Sequence, residues 1–173
     1  MLRGASVLCG AVWHSNMPVL ATLIEGGADI NFVSTVDLTP QCLGMLTGAT
    51  PLFSIAVRRR QEDADMIRFL IEQGADGKNR CDVNGTLMTA LQFARAADLE
   101  SASGGSFTFE VLRELCCAMC GDTKKHCHLK RCDRCPENDR YTARYCSQEC
   151  QVADWFSRHL FDHRARRRAR RTQ

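Results

Sequence analysis

Apolar positions in the first hundred residues fall into short helical patches separated by polar turns. Val19, Leu20, Leu23 and Ile24 recur at three-and-four spacing, and Met66, Ile67, Phe69, Leu70 and Ile71 do so again. That spacing puts apolar groups on one face of a helix. Each patch runs into the same tripeptide, Gly27-Ala28-Asp29 and Gly74-Ala75-Asp76, whose glycine takes the left-handed conformation that stops a helix at little cost. Upstream of the second copy stands Thr50-Pro51-Leu52-Phe53, with threonine placed to cap a helix and proline in its first turn. Thr89-Ala90-Leu91-Gln92-Phe93-Ala94 opens a further helix, its partner is predicted from Phe107 to Leu115, and Ser101 to Ser106 reads as a surface loop. The pattern predicts a mostly α chain built from helix pairs.

The repeated Gly-Ala-Asp and the Thr-Pro-Leu opening resemble the ankyrin repeat, whose period is about 33 residues. The resemblance implies about three degenerate repeats within residues 1–116, opening at Ser6, Thr50 and Thr89. It also implies three extra residues near Arg58 to Asp63, and a long insertion near residues 32–47 that carries Phe32, Val33, Leu38, Leu43 and Met45. Those apolar residues are expected to fold over the helices as added core. A stack this short needs its ends covered. The following domain is expected to cover one end. The first residues offer little polar cover for the other, which points to a partner there or to a longer chain.

Cysteine changes the picture after residue 115. Of the 11 cysteines in the chain, Cys116, Cys117, Cys120, Cys127, Cys132, Cys135, Cys146 and Cys150 are clustered. The odd total and the C-x2-C spacing favour metal ligands over disulfides, and with them a reducing compartment. Cys117 and Cys120, Cys132 and Cys135, Cys146 and Cys150, then His159 and His163 form four pairs, enough for two tetrahedral zinc ions. The two histidines stand four apart, on one helix face.

Residues 117–163 are similar to the MYND-type zinc finger, most specifically through Tyr145-Cys146-Ser147-Gln148-Glu149-Cys150-Gln151-Val152-Ala153-Asp154-Trp155. The resemblance implies interleaved ligation, with Cys117, Cys120, Cys146 and Cys150 on one zinc and Cys132, Cys135, His159 and His163 on the other. It further implies proline-containing peptide partners near Gln151, Asp154 and Trp155. Two departures stand out: His163 occupies a position usually held by cysteine, and one residue is added between Trp155 and His159. Cys116, His126, Cys127 and His128 are read as non-ligands.

The net charge of +3 is outweighed by six arginines at Arg164, Arg166, Arg167, Arg168, Arg170 and Arg171. The rest of the chain is therefore mildly acidic, and residues 164–173 read as a basic disordered tail. Such a run serves nuclear import, solvation or nucleic-acid binding. No apolar run approaches the roughly 20 residues of a membrane span, and a signal peptide is not expected. Neither a catalytic constellation nor a small-molecule site is legible; Cys9, Cys42 and Cys81 have no positioned base beside them. The expectation is a non-enzymatic adaptor of the cytoplasm, the nucleus or both, binding proteins through its repeats and its finger, with nucleic-acid association through the tail as the alternative.

Overall fold

The computed structural model describes residues 7–34, 46–58, 60, 62–100, 107–123, 128–135 and 141–171, of which 46, 47, 100 and 166–171 are described by backbone alone. Most of the insertion near 32–47, the Ser101 to Ser106 loop, Cys42, His126 and Cys127 lie outside these residues.

Three helix pairs succeed one another: α1 (Val7–Trp13) with α2 (Met17–Glu25), α3 (Pro51–Arg58) with α4 (Asp63–Glu72), and α5 (Ala90–Glu100) with α6 (Phe107–Leu115). Helices α1, α3 and α5 lie side by side in one layer, and α4 packs along α6 in a second. Leu8, Val12, Leu20, Leu52, Phe53, Ile55, Ile67, Leu70 and Leu112 fill the core between them. Phe53 and Phe93 join two pairs with ring centroids 5.4 Å apart.

The caps follow the sequence signals. Asn16 accepts a hydrogen bond from the Val19 N–H at 3.1 Å, and Thr50 Oγ1 accepts one from the Phe53 N–H at 3.3 Å. Thr89 and Gln92 cap reciprocally, each side chain accepting from the other's backbone N–H at 3.3 and 3.0 Å. This satisfies two otherwise orphaned donors at the start of α5. Gly27 and Gly74 both have positive φ, 86° and 97°.

The aspartates of the two Gly-Ala-Asp turns do the same job in each. Asp29 accepts from the Asn31 N–H and Asp76 from the Lys78 N–H, both at 2.9 Å. Asn31 then bridges the turns, donating to the Gly74 carbonyl at 3.2 Å and accepting from the Asp76 N–H at 2.7 Å.

Two features of the array go beyond the sequence reading. A short antiparallel sheet joins β1 (Leu46–Thr47), β2 (Arg80–Val83) and β3 (Thr86–Thr89), with Leu46 opposite Val83 and Arg80 opposite Thr89. Its hairpin turns at Asn84 and Gly85, whose φ of 51° and 84° give the twist that two-residue hairpins require. The charged stretch of the three extra residues is bounded by a buried ion pair between the end of α3 and the start of α4. Arg58 and Asp63 are 3% and 1% exposed and hydrogen-bonded to each other. Arg58 also donates to the carbonyls of Val12 and Trp13, the latter at 2.8 Å. It thereby places a cation at the C-terminal end of α1, where the helix dipole favours one.

The finger follows with β4 (Lys130–Arg131) antiparallel to β5 (Arg144–Tyr145), then α7 (Gln148–Asp154), a π-turn (Trp155–His159) and α8 (Leu160–Arg171). For residues 164–171 the expectation of a disordered basic tail is corrected: their backbone is helical. The tail continues the helix that carries His163, and that helix is already nucleated.

The finger covers the C-terminal end of the array. Thr123 Oγ1 donates to the Ala75 carbonyl at 2.8 Å, extending the row of turns that Asn31 begins. Lys78 Nζ lies 2.9 Å from Asp122, and Tyr141 donates to Asp98 at 2.9 Å while its ring meets Phe109 at 5.6 Å. Arg95 of α5 pairs with Asp162 of α8. The backbones touch at Gly77 and Gly121: a Cβ on Gly77 would stand 2.3 Å from the Gly121 carbonyl oxygen, and one on Gly121 would stand 2.1 Å from that of Gly77. Only glycine fits either position.

Candidate zinc centres

Both ligand sets assemble. Cys117, Cys120, Cys146 and Cys150 form one cluster, and Cys132, Cys135, His159 and His163 form the other, with the donor atoms of each within 4.8 Å of one another. Zinc–sulfur bonds of about 2.3 Å in a tetrahedron imply sulfur–sulfur edges of about 3.8 Å. In the first cluster Cys120 and Cys146 stand 3.6 Å apart, and Cys146 and Cys150 stand 3.7 Å apart. Zinc–nitrogen bonds of about 2.0 Å shorten the edge between two nitrogens to about 3.3 Å. In the second, Nε2 of His159 and Nε2 of His163 are 3.2 Å apart and lie 3.3 and 3.4 Å from Cys135 Sγ. The donor sets fit two zinc ions.

Local structure presents these ligands. Cys117 stands two residues past the end of α6, and its N–H donates to the Asp122 carbonyl while the Gly121 N–H donates to the Cys117 carbonyl at 2.9 Å, closing the loop that turns Cys120 back. Ser147 caps α7 by accepting from the Cys150 N–H at 3.3 Å, which fixes the helix start that bears Cys150. The added residue between Trp155 and His159 is taken up by the π-turn. A turn one residue wider than α lets His159 keep its place on the inward face. His163 therefore reaches the second cluster although it replaces the usual cysteine.

Within the first cluster the thiols of Cys117, Cys120 and Cys146 shift in different directions. Burial opposes ionisation of Cys117, yet backbone N–H groups of Cys120, Cys146 and Met119 donate to its sulfur and bring its thiol below the usual range. Burial, with help from the neighbouring Cys117, pushes Cys120 up to about 11. Burial and the surrounding sulfurs push Cys146 up as well. Zinc binding there must displace the protons of Cys120 and Cys146. Cys116 is different. It sits in the core of the array, burial pushes its thiol up, and it packs as a small apolar residue.

The three residues expected near a peptide site part company. Gln151 and Trp155 line a pocket of about 290 Å³ with Cys132, Arg134, Val152 and Phe156. Arg134 stacks over the Trp155 ring at 4.8 Å, and the same ring meets His159 and His163 at 5.7 and 5.4 Å. Trp155 therefore both supports the second cluster and walls the pocket. Asp154 is a correction. At 1% exposure it faces inward, accepting from Tyr145 Oη at 2.8 Å and from Arg158 Nη2 at 2.7 Å. Arg158 in turn donates to the Ala118 carbonyl beside the first cluster at 3.1 Å. Motif position identified Asp154 but could not give its direction; it orders the finger and holds α7 to β5.

Four protein donors at each cluster, with no position left over, define closed structural zinc sites on a helix-pair scaffold. Family comparison agrees: the ankyrin-repeat model matches residues 47–83 and the MYND-finger model matches residues 117–163. The chain thus carries an ankyrin repeat and, C-terminal to it, a MYND zinc finger, and both modules are of the kind that serve protein–protein interaction. No curated protein and no solved structure matches the chain.

Proposed function

We propose that the chain is an adaptor, holding a short peptide at the finger while the array engages a second protein. The pocket of Gln151, Val152, Trp155 and Phe156 carries this reading. Phe156 is 71% exposed beside the half-buried Trp155, an apolar and aromatic rim of the kind that stacks on proline rings, while Gln151 offers an amide for a peptide backbone. With both zinc ions enclosed by protein ligands, the metal's part is to hold the pocket's walls. Contact with the array at Gly77 and Gly121 fixes the pocket relative to the helix pairs, which suits joining two partners in a set geometry.

Titration of the zinc-loaded chain with a panel of proline-containing peptides, followed by calorimetry, tests the reading. We expect binding to be weakened at least about tenfold by Gln151→Ala or Phe156→Ser, a loss typical of anchors in an interface, with zinc stoichiometry unchanged. Equal binding by wild type and both variants would remove the pocket from the function.

A further inference from the structure

We infer that α8 is a duplex nucleic-acid binding helix whose shape is held by the second zinc cluster. Its sequence from residue 164 onward is Arg-Ala-Arg-Arg-Arg-Ala-Arg-Arg, with no acid, and its backbone is helical through Arg171. Arg164, Arg167, Arg168 and Arg171 share one face by helical register, and Arg166 and Arg170 extend the cationic arc. Like charges three and four apart destabilise a helix, and one this short does not hold itself together in water. It forms here because its first turns are clamped: His159 and His163 meet Cys135, and Asp162 is tied to Arg95 of the array. The carboxylates at the root are already engaged, Asp154 with Arg158 and Asp162 with Arg95.

The chemistry of this rod selects its partner. All six cations are arginine, although the chain has lysines elsewhere; guanidinium is always charged and matches phosphate bidentately. A membrane-surface helix needs an apolar face to bury. Beyond Phe161 the only apolar positions of α8 are Ala165 and Ala169, which rules against lipid. A helix of about 10–12 Å diameter fits the B-form major groove, about 12 Å wide, where phosphates line both walls. Arginine pairs with the phosphates that line the groove, and a guanidinium that reaches the groove floor matches guanine O6 and N7.

The test is fluorescence anisotropy with the zinc-loaded full-length chain, using a labelled DNA duplex, the matching RNA duplex, the single strand, and vesicles of mixed phosphatidylserine and phosphatidylcholine at equal phosphate. We expect the DNA duplex to bind best, with affinity falling steeply as salt rises. Substituting Arg164, Arg167, Arg168 and Arg171 by glutamine should reduce the logarithmic salt slope by about 3 to 4, from about 0.9 per lost phosphate contact; substituting the same four by lysine should keep most of the slope. Cys135→Ser, with its arginines intact, should weaken duplex binding several-fold and lower the helical content of residues 160–171. The inference is overturned if the glutamine variant keeps the wild-type slope, if vesicles or single strands compete as well as the duplex, or if Cys135→Ser binds unchanged.

Discussion

The array and the finger are held together by different materials. The array packs Leu, Ile, Val and Phe from six helices, so its stability is spread over many contacts, each worth about 1.5–3 kcal/mol on burial. The hydrophobic cluster of the finger is only Cys117, Cys132, Cys135, Ala143 and Tyr145, three of them zinc ligands. Its stability is concentrated in two ions. The comparison teaches that a segment with too little apolar surface for a core can still terminate a helical stack, provided metal sites supply the rigidity and the seam is made tight.

Chelation gives the largest separation of the two regions. Zinc sites in finger peptides contribute on the order of 10 kcal/mol each. Exchange-resistant amides of residues 128–135 and 141–163 should therefore lose protection on metal removal, while those of α3 and α4 keep most of theirs. Protection loss of equal depth in both regions would show that the array has no stability of its own.

Arg58→Ala acts on the opposite side. It leaves Asp63 buried without its partner, a change that costs about 3–5 kcal/mol. The array should melt at lower denaturant while metal analysis still finds two zinc ions per folded chain. Gly121→Ala targets the seam. Alanine at φ +79° costs about 1–2 kcal/mol for the left-handed conformation, and its Cβ meets the Gly77 carbonyl. A single unfolding transition should split into two as the regions uncouple.

The two regions also differ in their response to pH. Cys120 and Cys146, pushed up by burial, hold protons at neutral pH in the metal-free fold. Zinc must displace them, so affinity at the first cluster rises with pH, about tenfold per unit for each proton released. Calorimetry in buffers of different ionisation enthalpy counts those protons; none released would mean that the thiols are already ionised.

Much of this was legible before any coordinates. Ligand spacing identified all eight zinc donors, because C-x2-C and a four-residue histidine pair encode geometry directly. Gly-Ala-Asp located two helix ends, because left-handed turns need particular residues. What stayed hidden depends on direction or on distant partners. Asp154 sits at a motif position, but only the fold turns it toward Tyr145 and Arg158. Arg58 lay in a run of charge that resembles a solvated loop, and its partners Val12 and Trp13 are over 40 residues away in sequence. The Asn84-Gly85 hairpin carried a readable turn signal between Val83 and Thr86 that the helical pattern around it obscured. The arginine run reads as disorder from composition, since the zinc-held root that organises it lies upstream.

An inserted residue ordinarily throws a helix out of phase, rotating everything beyond it by about 100°. The wide turn at Trp155–His159 absorbs that rotation within five residues. The azimuth of the two imidazoles is thus the fixed quantity, and chain length on the way to them is free to vary by one. Deleting Ser157, whose hydroxyl contacts only the Ala153 and Asp154 carbonyls among the described bonds, should convert the segment to plain α-helix with both histidines still facing the metal.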